Sequence, residues 1–126
     1  MTSIEPELWV DRAHDAIAYY EAAFGATVLH RVGDGDNIVA QLAVGEARYW
    51  VSSASANRPS PRANRGATGR VLLVVDDPDE LVAQACAAGA SELSAVRNEH
   101  GWRLGRIEDP SGHEWEIGRP LGTWPP

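Results

Sequence analysis

The sequence predicts an α+β fold built from two β-α-β-β-β modules. Three observations carry this. Short aromatic and β-branched runs alternate with turns rich in Gly and Asp, as half-buried strands do. Two stretches have the three- and four-residue apolar spacing of helices. The halves also register at an offset of 64 positions, with Gly25-Ala26 falling on Gly89-Ala90, Ile17 on Leu81, and Leu8-Trp9-Val10 on Leu72-Leu73-Val74. A repeated unit of this kind cannot bury its sheet face alone, so two must pack or pair.

In the first module, Leu8-Trp9-Val10 reads as a short strand after Pro6. Asp11 is the candidate N-cap of the helix that follows, with Asp15 in its first turn. Ala13, Ile17, Tyr20 and Phe24 form the helix's apolar face, and Gly25 stands where the chain leaves it. Three strands follow: 27–32, 38–44 and 47–51, joined by turns at 33–36 and at Gly45-Glu46.

Residues 54–68 have no apolar periodicity and read as a linker. Two readings stay open here. One is a mobile connection. The other is a cationic flap, because Arg58, Arg62, Arg65 and Arg70 concentrate positive charge in an acidic chain. The second module opens with the apolar strand 70–75. Asp77-Pro78 is a helix start, Leu81, Ala85 and Ala88 are its stripe, and Gly89 closes it. A short strand near 92–96 and a loop at 97–101 lead to a hairpin. That hairpin turns on Asp109-Pro110-Ser111-Gly112, a sequence with turn chemistry at each position. Alternation puts Trp115 and Glu116 on opposite faces of the last strand.

Length and composition suit one globular domain, residues 1–126, with modules at about 4–53 and 69–119. A net charge of −7 disfavours a nucleic-acid partner. No apolar run is long enough for a membrane span, and no secretory h-region is visible, so a soluble, cytoplasmic protein is expected. Cys86 is the single cysteine, which excludes an intrachain disulfide. His14, His30, His100 and His113 show no metal-ligand spacing.

The paired modules resemble the vicinal oxygen chelate superfamily of glyoxalases, extradiol dioxygenases, and fosfomycin- and bleomycin-resistance proteins. The residues that carry the resemblance run from Leu8-Trp9-Val10 to Phe24-Gly25, then Leu73 to Asp77 with Ala88-Gly89-Ala90, and above all Glu108 to Glu116. It covers about residues 4–119. It implies sheets curled around a cavity and, in the family's enzymes, a divalent ion held from four strand positions. Those positions fall at Glu5, near Trp50, at Arg70 and at Glu116. Only Glu5 and Glu116 are candidate metal ligands, because a guanidinium repels a cation and an indole offers no lone pair. No metal or other cofactor is therefore expected.

By alternation Trp50 and Glu116 should face the cavity, with Tyr49 and Trp115 turned away. Trp50 and Trp102 are expected as platforms for a flat ligand, with Trp9, Arg70 and Glu116 beside them. Glu116 also has a purely structural reading as the ion-pair partner of Arg70. The resemblance to the bleomycin-resistance branch implies a homodimer that binds a small aromatic ligand, such as an antibiotic, without a metal. The alternative is a metal-dependent lyase, isomerase or dioxygenase on the same scaffold.

Overall fold

The computed structural model describes residues 1–125. The first module contains β1 (Glu7–Val10), α1 (Ala13–Phe24), β2 (Thr27–Asp34), β3 (Asn37–Val44) and β4 (Ala47–Ser53). The second contains β5 (Arg70–Val74), α2 (Pro78–Ala88), β6 (Ser91–Glu99), β7 (Trp102–Glu108) and β8 (Glu114–Pro120). Each forms a four-stranded mixed sheet, ordered β1-β4-β3-β2 and β5-β8-β7-β6. In each, the first strand lies parallel to the last and the rest are antiparallel. The expected two-module α+β fold is the one observed.

The two modules pack in cis. α1 and α2 lie against each other, and the Gln84 amide on α2 donates to the Ala22 and Ala23 carbonyls near the end of α1. Those carbonyls belong to a last helical turn that lacks internal partners. Each sheet turns its apolar face inward: Leu8, Val10, Ile38, Leu42, Tyr49 and Val51 from the first, Leu73, Ile107, Trp115 and Ile117 from the second. The centre is aromatic. Trp115 lies 4.8 Å from Phe24, 5.4 Å from Tyr49 and 5.8 Å from Tyr20, ring centre to ring centre.

One carboxylate sits inside this core. Asp109 is only 1% exposed. One of its oxygens accepts from the Ser111 and His113 backbone N–H groups, both at 3.0 Å. The other accepts from the Trp115 indole N–H and the Tyr20 hydroxyl. Four donors offset the cost of burying the charge. The turn residue thereby ties the second module's hairpin to the first module's helix. The Tyr19 and Tyr49 hydroxyls have no partner among the described residues. Burial first, and the Asp109 charge second, push both phenols above their usual range, so they stay protonated.

Local expectations differ from the structure in three places. Asp77 does cap α2, accepting from the Glu80 N–H at 3.1 Å. Asp11, however, does not cap α1. The cap position is Arg12, at φ 45°, with no side-chain cap. Asp11's carboxylate is instead taken by the Ser60 hydroxyl at 2.6 Å. On α2 the fully buried residues are Pro78, Val82 and Ala85, so Val82 joins the expected stripe, while Leu81 and Ala88 pack half-buried against the core. β6 runs on to Glu99, leaving only a tight turn where a loop was expected.

The linker is strapped down rather than loose. The Arg62 side chain donates to the Pro110 carbonyl at 2.7 Å and to Glu108 at 3.2 Å, and its N–H to the Ser111 carbonyl at 3.0 Å. A Cβ on Gly112 would lie 2.6 Å from the Arg62 nitrogen, so only glycine allows this approach. With Arg62 committed to the hairpin, the flap reading loses its central arginine.

Candidate functional site

Burial on the inner faces leaves each sheet an outer face pointing away from the helices. On the first sheet the register aligns Glu7, Trp50, Gln41 and His30 in a row across four strands. Trp9 and Ser52 pair in the next row, with Val39 beside Ser52. Trp50 is therefore on the outer face and Tyr49 in the core, as alternation requires. Glu5, just before β1, is the hub of this half. Its Oε1 accepts from the Gln41 amide at 2.7 Å and from the Trp50 indole N–H at 3.0 Å, while Oε2 accepts from the Ser3 hydroxyl at 2.9 Å. These donors, Gln41 foremost, hold the Glu5 carboxyl below its usual pKa. They also lock the Trp50 ring by its one polar atom.

On the second sheet the outer face carries Arg70, Leu72 and Val74 of β5, Glu116 of β8, and Trp102, Leu104 and Arg106 of β7. Glu116 accepts from the Arg106 Nε at 2.8 Å, and the Arg70 guanidinium stands at 3.6 Å. Arg106 also reaches Glu99 at 3.5 Å, and Glu99 pairs with Arg97 at 2.9 Å. Five side chains thus alternate in charge from Arg70 to Arg97. Arg97 and Arg106 hold Glu99 below its usual pKa.

Sequence reasoning anticipated the Arg70–Glu116 pair but missed Arg106, the closer partner. The signal was present: pairing β7 with β8 around the Asp109 turn places Arg106 directly opposite Glu116. Trp102 is not brought to Trp50. The two belong to different sheets, and Trp102 packs edge-on against Trp124, 5.3 Å away. Trp9 stands on the outer face of β1, 37% exposed.

The four positions suit a divalent ion poorly. Both Glu5 oxygens are already acceptors, Glu116 is held by two guanidiniums, and the other two positions are Trp50 and Arg70. Among the described residues no three His, Cys, Asp or Glu side chains gather as a metal site. No helix is long and apolar enough to cross a membrane.

With this geometry in place, comparison with known proteins is specific at the level of family. Residues 3–117 match the family model described as the Glyoxalase/Bleomycin resistance protein/Dioxygenase superfamily, and the chain belongs to that superfamily. Uncharacterised proteins of Mycobacterium bovis and Mycobacterium tuberculosis are 32% identical over 94% of this chain, covering 84% and 75% of their own lengths. Among solved structures, TioX from Micromonospora sp. ML1 superposes with a TM-score of 0.72 at 24% identity, covering 97% of this chain and 98% of its own. TnmS3, an antibiotic-binding protein from Streptomyces sp. CB03234, gives 0.72 at 18% identity over 95% and 97%. The fosfomycin-resistance protein FosX of Listeria monocytogenes gives 0.73 at 13% over 98% and 95%. At these identities the structural likeness defines the fold, and one fold serves both binding proteins and enzymes.

Proposed function

We propose that the chain is a metal-independent small-molecule-binding protein of the bleomycin-resistance type, which sequesters a planar aromatic antibiotic or metabolite. It acts as a cytoplasmic homodimer of one domain, residues 1–126. The observation that supports this most is the state of the two carboxylates. Glu5 is spent on orienting Trp50, and Glu116 on Arg106 and Arg70, so neither is free to hold a Lewis acid. What the outer faces offer instead is a fixed indole, cationic groups and exposed apolar side chains.

Trp50 is the principal platform, with Trp9 as a second wall. Arg70 and Glu116 supply polar contacts, and Trp102 stands at the rim beside Trp124. Val32, Val39, Leu72 and Val74 are 38–58% exposed on the outer faces, a load of apolar surface that a second copy would cover. The antibiotic-binding relative TnmS3 agrees with this reading.

The test is tryptophan fluorescence titrated with a panel of aromatic antibiotics, together with metal analysis of protein purified without chelator. The expected result is saturable quenching, no stoichiometric divalent ion, and an affinity about tenfold lower in Trp50→Leu from the lost stacking. A stoichiometric ion bound at Glu5 or Glu116 would overturn the reading. So would quenching that Trp50→Leu leaves unchanged.

A further inference from the structure

A separate cleft of about 270 Å³ lies where β1 meets the linker and the start of β8. Glu7 and Trp9 line one side, Pro59, Pro61 and Asn64 the other, and His113 stands between the modules, with the small residues 66–69 completing the wall. The volume is just below the range typical of drug-sized ligands, so the occupant is compact.

The cleft is built rather than incidental. His113 Nε2 lies 2.7 Å from the Trp9 carbonyl oxygen. A carbonyl only accepts, so Nε2 carries the hydrogen, and the contact clamps the backbone that presents the indole. The Arg62 strap holds the opposite wall. Glu7 accepts from the Ser52 hydroxyl at 3.0 Å through one oxygen only. No arginine lies within ion-pair distance of Glu7 among the described residues. Among the described residues Glu7 is the one formally charged side chain lining the space. Arg58, Arg62 and Arg65 flank the lining residues of the linker but do not themselves line the space, Arg62 being committed to Glu108 and Pro110, and Arg70 lines the neighbouring depression with Glu114 and leans to Glu116.

A half-exposed indole two residues from an unpaired carboxylate, on the same strand face, attracts positive charge twice: through the ring's quadrupole and through the carboxylate. We propose that this cleft binds a compact organic cation, a quaternary or protonated aliphatic amine, between the Trp9 indole and the Glu7 carboxylate. Asn64 and the proline rings complete the contact. The site lies within one protomer and does not depend on the aromatic-ligand reading, although Trp9 serves both.

Choline and its neutral carbon isostere, 3,3-dimethyl-1-butanol, are the probes, followed by calorimetry and by the Trp9 indole N–H resonance. Choline should bind saturably and shift that resonance, with the neutral isostere about tenfold weaker. Glu7→Gln should weaken choline about fivefold, and Trp9→Leu about tenfold, with Trp9→Phe between. Equal binding of the neutral isostere overturns the proposal. So does choline binding that none of the three variants changes, and so does the absence of saturable binding. Trp50→Leu should leave choline binding intact, so failure of this site and failure of the aromatic-ligand site are read separately.

Discussion

In the first module the turn between β3 and β4 is a bare hairpin at Gly45-Glu46, exposed and tied to nothing beyond its strands. In the second, the corresponding turn between β7 and β8 carries Asp109 into the core and accepts Arg62 from the linker. The outer faces differ in the same way. Glu5 is satisfied by neutral groups, an amide, an indole and a hydroxyl, whereas Glu116 and Glu99 are satisfied by three arginines. Two units with one layout have divided the work. The second ties the modules together through a buried carboxylate and straps the linker with an ion pair. The first keeps an indole in place through a carboxylate that no cation neutralises.

The largest expected effect tests the buried turn. Asp109→Ala leaves the Tyr20 hydroxyl and the Trp115 N–H without their acceptor and should cost about 3 kcal/mol or more in urea unfolding. Glu46→Ala in the opposite turn should stay within about 0.5 kcal/mol. Equal effects would erase the distinction between the modules.

The glycines of the same two turns come next. Gly112 (φ 90°) meets the Arg62 backbone, whereas Gly45 (φ 59°) faces open space. Gly112→Ala should therefore cost about 3 kcal/mol, and Gly45→Ala about 1 kcal/mol, the second being left-handed strain alone. Thermal melts of the two variants check this.

The smallest effect separates the two outer faces. Glu5 and Glu99 both have lowered pKa values in the folded state. Each therefore adds stability at pH values above its ordinary range, and that contribution is lost as pH falls through the lowered value. Carboxyl NMR titration should place both midpoints below the ordinary Glu value. In 1 M salt the Glu99 midpoint should move up, because arginines hold it, while Glu5, held chiefly by hydrogen bonds from neutral groups, should move little. Gln41→Leu should raise the Glu5 midpoint more than Trp50→Phe, since the amide is the stronger influence.

Local signals were legible where the physics is local. Asp77 caps α2 because the cap bond spans three residues. The outward turn of Trp50 and the burial of Trp115 follow from strict alternation along a strand. Asp11 looked just as good a cap, but Ser60, 49 residues away, claims its carboxylate. Arg106 was within reach of the same local reasoning, since counting back from the Asp109 turn sets it opposite Glu116. The strapped linker was illegible because its contacts are not local: Arg62 finds its partners on a hairpin nearly fifty residues further along the chain.

By itself the sequence determined the repeat, the two helices, the order of strands and the sides that Tyr49, Trp50 and Trp115 take, since apolar periodicity and turn chemistry act over a few residues. Only the tertiary structure decided that Trp102 packs against Trp124, that Glu5 is spent on an indole, and that a cleft with an unpaired carboxylate opens beside Trp9. Those outcomes rest on hydrogen bonds and contacts between distant segments, which the free energy of packing selects and no local pattern encodes.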